Sequence, residues 1–264
     1  MNPVEVAQGD SPVILGLPHT GTFLPDDIFA ALTPRGQVLA DTDWHIHRLY
    51  GGLLPGATTV RATFHRYVID ANRGPDDASL YPGQNTTGLV PLTDFDGAPI
   101  WKSEPGAEDI ATRKARFHAP YHAALAAEIE RVRARHGVAI LYDCHSIRSV
   151  IPFLFDGVLP DFNIGTNSGA SCAPAIEAAT QEVASATGRT WVVNGRFKGG
   201  WTTRHYGQPG AGVHAIQMEL AQSTHLTSET PPFAYDEAKA AALRVPLRDI
   251  LTRLAALAPQ LVTP

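Results

Sequence analysis

An apolar run, Val138-Ala-Ile-Leu-Tyr142, stops abruptly at Asp143, Cys144, His145 and Ser146. Such a run reads as a buried strand, and open α/β sheets place their ligand crevices beyond strand ends of this kind. Strand alternation puts Asp143 and His145 on one side and Cys144 on the other. A histidine presented there can bind a metal or move a proton, with the carboxylate as a ligand or as the group that orients the ring. The design recurs near the start of the chain, where Pro12-Val-Ile-Leu-Gly-Leu-Pro18 runs into His19-Thr-Gly-Thr22, with Gly21 allowing a tight turn. His19, His145 and a carboxylate from Asp43 or Asp41 would form a catalytic metal site of two histidines and one carboxylate, with a position open for water. Both aspartates also precede Trp44, Ile46, Leu49 and Leu53, where either could instead cap a helix.

Glu219 lies in Val213-His-Ala-Ile-Gln-Met-Glu-Leu220, which alternates cleanly. Val213, Ala215, Gln217 and Glu219 share one face, and a carboxylate near a strand end is a candidate general base. Arg66, Arg73, Lys198 and Arg204 offer cations to an anionic ligand in a chain of formal net charge -5. The remaining histidines carry less. His45 and His47 diverge in a helical context. His118 and His122 have the spacing of a helical zinc pair but no Glu beside the first, and Pro120 sets His118 at or before the helix start, which spoils a shared face. His65, His136 and His225 read as surface or loop residues. There is no Gly-x-Ser-x-Gly elbow and no phosphate-binding glycine loop, so serine-nucleophile and nucleotide chemistry have no support.

The intervening chain supplies the elements that must position these groups. Strand signals at 58–63, 151–155, 161–169 and 190–194 alternate with helical ones at 108–117, from Pro120 onward, at 173–187 and at 235–257. That alternation predicts an α/β fold, and no repeat or second domain interrupts a single unit over 1–264. Residues 195–207 read as a glycine-rich loop. Residues 74–106 lack periodicity but contain Tyr81, Phe95 and Trp101 as anchors, so an ordered loop that could fold over the site is expected. The acidic charge argues against nucleic acid or an anionic membrane surface as a partner. No apolar segment reaches the ~20 residues that span a bilayer. The cysteines, Cys144 and Cys172, form no disulfide framework, and with no signal peptide evident a cytoplasmic location is expected. Oligomeric state leaves no signature.

In one order along the chain stand Pro18-His-Thr-Gly21, Asp41-Thr-Asp-Trp44, Arg66-Tyr-Val-Ile-Asp-Ala-Asn-Arg73, Leu80-Tyr-Pro-Gly-Gln84, Asp143-Cys-His-Ser-Ile-Arg148, Leu159-Pro-Asp-Phe-Asn-Ile-Gly-Thr166, Asn194-Gly-Arg-Phe-Lys-Gly-Gly200, Thr203-Arg-His-Tyr-Gly207 and Gln217-Met-Glu-Leu220. With these the chain resembles N-formylglutamate amidohydrolases, deformylases that end one route of histidine degradation. The resemblance implies a phosphorylase/hydrolase-like fold, three layers α/β/α around a mixed sheet. It also implies a divalent metal, zinc in the first place, on His19, Asp43 and His145. The related zinc carboxypeptidases and aspartoacylases hold a substrate carboxylate with an Asn-Arg pair, which Asn72-Arg73 matches. They carry a glutamate three residues after the first histidine, where this chain has Thr22, so Asp43 is expected to supply the carboxylate ligand in preference to Asp41.

The implied reaction is metal-assisted hydrolysis of N-formyl-L-glutamate to formate and L-glutamate. Glu219 is then the general base and Arg66 the group facing the oxyanion. Asn72 and Arg73 hold one substrate carboxylate, Arg204 with Lys198 the other, and Asp143 orients His145. The same residues also suit hydrolysis of another N-acyl amino acid or short amide, or a protein that binds a dianion without chemistry.

Overall fold

The computed structural model describes residues 2–80 and 83–262; Tyr81, one expected loop anchor, lies outside them. Strand β1 (Val4–Ala7) is followed by β2 (Val13–Leu17), the short helices α1 (Asp26–Ala31) and α2 (Ile46–Tyr50), and β3 (Thr58–Ala62). After the long loop come α3 (Ala107–Arg113), a π-helical turn over Lys114–His118 and α4 (Ala119–His136). The second half holds β4 (Ala139–Ile147), β5 (Phe162–Gly165), α5 (Pro174–Ala186), β6 (Trp191–Val193), α6 (Trp201–Tyr206), β7 (Val213–Ala221) and α7 (Glu237–Leu257). The strands form one sheet in the order β1-β3-β2-β4-β7-β5-β6. The sheet is mixed: β3, β2, β4 and β7 are parallel, β1 is antiparallel to β3, and β5 is antiparallel to β7.

Helices cover both faces because the central strands are apolar on both sides. Val13, Leu15, Ile140, Tyr142, Ile216 and Met218 pack against α2, α5 and α7. Ile14, Val60, Leu141 and Ala215 pack against α1 and α4 through Ile28, Leu32, Tyr121, Leu125 and Ile129. Each fully buried Leu or Ile contributes roughly 2 kcal/mol, so the two apolar layers hold the sheet rigid between them. Among the described residues no helix is long and apolar enough to cross a membrane.

Several local expectations change. Residues 151–155 form turns, not a strand, and residues 195–207 include the helix α6. The sheet begins one strand earlier than expected, with β1 on its edge. Neither Asp41 nor Asp43 caps α2, whose cap is His45 in a left-handed conformation at φ 61°. Gly21 serves a close approach and not a left-handed turn, since a Cβ there would lie 2.4 Å from Phe64 O. The two helices expected around Pro120 are continuous through the π turn. Proline has no N–H for the preceding turn, and the widened π segment accommodates that loss. His118 and His122 therefore do share a face, with ring centroids 4.4 Å apart. His65 and His225 lie in loops, in keeping with the surface-or-loop reading, but both are fully buried and neither is at the surface.

Candidate metal centre and active site

On the α4 side of the sheet, the apolar face turns polar at one level. Along β4, Ala139 and Leu141 give way to Asp143 and His145; along β7, Val213 and Ala215 give way to Gln217 and Glu219. Register sets Asp143 beside Gln217 and His145 beside Glu219. His19 arrives just beyond the end of β2, and its carbonyl accepts a bond from Asp43 N–H at 3.1 Å, which brings Asp43 to the same place.

His19, Asp43 and His145 are all buried, with their ligand atoms within 4.8 Å of one another. Asp43 Oδ2 lies 3.1 Å from His145 Nδ1 and 3.8 Å from His19 Nδ1. The opposite ring nitrogens face other carboxylates: His19 Nε2 is 2.7 Å from Asp70 Oδ1, and His145 Nε2 is 3.1 Å from Asp143 Oδ2. Metal-binding histidines are held in this way, one nitrogen inward and the other N–H on a carboxylate. His19 Nδ1 is a buried atom without a hydrogen-bond partner, which in a packed interior calls for a ligand. Two imidazole nitrogens and one carboxylate oxygen fit a divalent transition metal. Asp41 is turned elsewhere, its Oδ2 accepting from Tyr67 Oη at 2.7 Å and Phe95 N–H at 2.9 Å.

The charges around this cluster are strongly shifted. Burial, with Arg66 close by, lowers the pKa of His19, leaving a neutral ring suited to a metal. Burial also opposes charge on His145, but Asp143 and Asp43 on either side hold its pKa well above the ordinary value. Burial would raise Asp43, yet the hydrogen bond from His145 and the charges of His145 and Arg66 keep it low. Burial pushes Glu219 up to about 8, with Asp43 adding to the effect and His145 opposing it. A divalent cation beside it would bring that value down again. Gln217 Nε2 donates to Glu219 Oε2 at 3.1 Å and fixes the carboxyl.

Arg66 lines the same cleft, which is open to solvent on one side. Burial disfavours its charge, but Asp70, Asp43 and Asp41 more than offset this, so the guanidinium stays protonated. Its Nη2 bonds Asp70 Oδ2 at 2.6 Å and its plane lies over the Phe95 ring. The long loop thus reaches the site: Phe95, Leu80, Asn85, Thr86 and Thr87 line it, while Phe95 and Trp101 are buried anchors. Arg73 also lines the cleft, with Nη2 on Thr86 Oγ1 and 3.5 Å from Thr87 Oγ1. Asn72 is committed at the carbonyl end of its amide. Its Oδ1 accepts from Thr202 N–H at 2.8 Å and its Nδ2 stands 3.1 Å from His145 Nε2. Gly200 permits this approach, since a Cβ there would come within 2.2 Å of Asn72 Nδ2.

The structure does not bring Lys198 or Arg204 to the cleft wall. Lys198 is exposed, and Arg204 bonds the carbonyls of Gly199 and Leu80 at 2.9 and 3.3 Å. Arg196, from the same basic loop, lines the cleft in their place. Three site residues thus went unassigned in the sequence. Asp70 stood within a quoted stretch, four residues after Arg66; Gln217 shared the strand face of Glu219; Arg196 carried no signal separating it from its two basic neighbours. His118 and His122 are not ligands: their Nε2 atoms each lie 2.9 Å from a carbonyl, of Arg73 and Ala71 respectively, and clamp the backbone beneath Asn72-Arg73.

The chain as a whole is similar to known proteins. The sequence profile of N-formylglutamate amidohydrolases matches residues 11–226. The chain belongs to the N-formylglutamate amidohydrolase family. It is 49% identical to the N-formylglutamate deformylase of Pseudomonas aeruginosa over 253 residues, covering 94% of each chain. It is 47% identical, with the same coverage, to the N-formylglutamate deformylase of Pseudomonas putida. The crystal structure of N-formylglutamate amidohydrolase from Ralstonia eutropha superposes with a TM-score of 0.84 at 25% identity, covering 98% of this chain and 99% of that one. The Atu2144 gene product of Agrobacterium tumefaciens, 18% identical with a TM-score of 0.75 and covering 97% and 96%, shares the fold.

Proposed function

We propose that this chain, acting as one domain over 1–264, hydrolyses N-formyl-L-glutamate to L-glutamate and formate, with zinc on His19 Nδ1, His145 Nδ1 and Asp43, and so serves histidine degradation as the family resemblance implies. The observation that carries the reading is the inward pair of buried Nδ1 atoms around Asp43, in the same cleft as Glu219 and Arg66. A divalent cation there supplies Lewis acidity, which polarises a carbonyl and makes water a better nucleophile at neutral pH. Glu219 takes the proton from the attacking water as its oxygen bonds the formyl carbon, and returns it to the amine nitrogen as the C–N bond breaks. The Arg66 guanidinium faces the oxyanion formed between those steps, a role worth about 3 kcal/mol. Arg73, with Asn72 beside it, holds the α-carboxylate, because a guanidinium matches carboxylate geometry. Asp70 and Asp143 fix the two rings.

Formate release from N-formyl-L-glutamate, measured before chelation, after it and with zinc restored, tests the reading. Loss on chelation and recovery with zinc is the expected result. Release that survives complete metal removal would overturn the assignment of His19, Asp43 and His145. A zinc-loaded protein that hydrolyses only a different acyl amino acid would move the substrate, and one that binds without hydrolysis would make it a dianion binder.

A further inference from the structure

We propose that Arg196 reads the side-chain carboxylate of the substrate and sets the preference for N-acyl amino acids with an acidic side chain. This rests on the proposed hydrolase reading and extends it from the reacting bond to the far end of the substrate. Two arginines from opposite sides of the fold, Arg73 and Arg196, line one cleft with the metal cluster and Glu219. They are tied to the same short segment. Arg73 bonds the Thr86 hydroxyl, and Arg196 Nη2 donates to Asn85 O at 2.8 Å while its Nε donates to Leu154 O at 2.9 Å. A guanidinium carries its donors in a rigid fork, so two such bonds fix its plane.

Sheet register tells the two arginines apart. Cys144, beside His145, pairs with Met218, Met218 with Ile164, and Ile164 with Val193. That row runs straight across the sheet from the metal-side strand to the end of β6, three strand steps or about 14 Å away. Arg196 leaves the chain three residues after Val193. Arg73, by contrast, follows Asn72, whose side-chain nitrogen Nδ2 lies 3.1 Å from His145 Nε2. The α-carboxylate of an N-acyl amino acid sits one carbon from the amide nitrogen and belongs with the nearer cation, Arg73. The remaining distance is bridged by the substrate side chain from one end and by the long arginine side chain from the other. Phe197 and Leu154, also in the lining, give that side chain an apolar wall. A substrate with two carboxylates uses both arginines; one with a neutral side chain leaves Arg196 facing an uncharged group.

The experiment compares N-formyl-L-glutamate with N-formyl-L-glutamine, its uncharged near-isostere, in wild type, R196Q, R196K and R204Q, each zinc-loaded and checked for folding by circular dichroism. R196Q is expected to lower kcat/KM for formylglutamate on the order of 10- to 100-fold, mostly through KM, while formylglutamine turnover changes little. R196K, with a point charge in place of the fork, should lose part of the discrimination, about 10-fold. An unchanged glutamate-to-glutamine ratio in R196Q, an equal loss on both substrates, or a larger loss of discrimination in R204Q overturns the proposal. If R196Q does not fold, R196K decides, and an undiminished ratio there is the overturning result. If wild type hydrolyses neither compound, the hydrolase reading fails by itself, and the same ratio measured by calorimetric binding still judges Arg196.

Discussion

The two halves of the cleft are built differently. The half proposed to hold the metal, called the metal half below, stands on β2, β4 and β7, strands buried on both faces, and its groups follow one another along the pleat: Asp143 and His145, Gln217 and Glu219. The half proposed to bind substrate stands on loops, 70–73, 85–87 and 195–200, cross-tied by hydrogen bonds through Thr86, Asn85 and Thr202, while Gly200 N–H donates to Gln217 on β7. Reaction chemistry needs atoms fixed within fractions of an ångström, which packed strands supply. Substrate recognition tolerates loops, provided that each loop is fastened to its neighbours.

The largest expected effect lies in the strand-borne half. Glu219→Gln keeps the hydrogen-bonding shape beside Gln217 but cannot take a proton, so kcat should fall about 10²- to 10⁴-fold while zinc stays bound. Metal content and single-turnover kinetics check this together. A variant that keeps near-wild turnover would remove Glu219 as the base.

Next come the buried histidines that clamp the backbone under each half. His225 Nε2 lies 3.0 Å from Trp44 O, next to Asp43, and His122 Nε2 lies 2.9 Å from Ala71 O, next to Asn72. Burial lowers their pKa values to about 4 and about 3, so both are neutral in the folded protein. A folded pKa below the unfolded value near 6.5 means that the unfolded chain takes up protons first. The stabilisation is complete above pH 6.5 and is lost as pH falls toward the folded value. His225→Gln, which can still donate to Trp44 O, should remove about 1.4 kcal/mol per pH unit from the slope of unfolding free energy between pH 4 and 6.5, or about 3 kcal/mol in all. Urea melts at several pH values measure the slope, and identical slopes in variant and wild type would break the assignment. His122→Gln should act alike under the loop-borne half.

The same contrast explains what the sequence revealed. Alternation along 138–146 and 213–220 was enough to gather Asp143, His145, Gln217 and Glu219, because a strand's period is fixed by its backbone. Choosing Asp43 over Asp41 depended on the chain path after His19, and only the structure shows Asp41 held by Tyr67 and Phe95. In the loop 195–207 three cations stood close together with no period to say which pointed inward, and Lys198 and Arg204 were preferred to Arg196. Asp70 was missed for a related reason: its partners His19 and Arg66 lie in different elements, and nothing local marks a carboxylate that serves both. The π turn before Pro120, which lets His118 and His122 reach the carbonyls of Arg73 and Ala71 on either side of Asn72, has no periodicity signal at all.

Asp70 tests whether the metal half depends on more than its three ligands. It holds His19 by Oδ1 and Arg66 by Oδ2. Asp70→Asn keeps the shape and removes the charge, so His19 becomes a weaker ligand and zinc affinity should fall about 10- to 100-fold. Competition with a chromophoric chelator reads this directly. An affinity equal to wild type would show that the three ligands alone define the site.

The smallest effect is expected in the loop-borne half, at Thr86. Its hydroxyl accepts from Arg73 Nη2, and Thr87 offers a second, longer contact at 3.5 Å. Thr86→Ala therefore removes one acceptor from a guanidinium that keeps its charge, a loss of about 1 kcal/mol. KM should rise about 5-fold with kcat unchanged, because the carboxylate proposed to lie on Arg73 would bind equally in the ground state and the transition state. The rise should be the same for N-formylglutamate and N-formylglutamine, which share the α-carboxylate. A drop in kcat would mean that the 85–87 segment positions the reacting groups as well as the substrate, and the division between a strand-built chemical half and a loop-built recognition half would no longer hold.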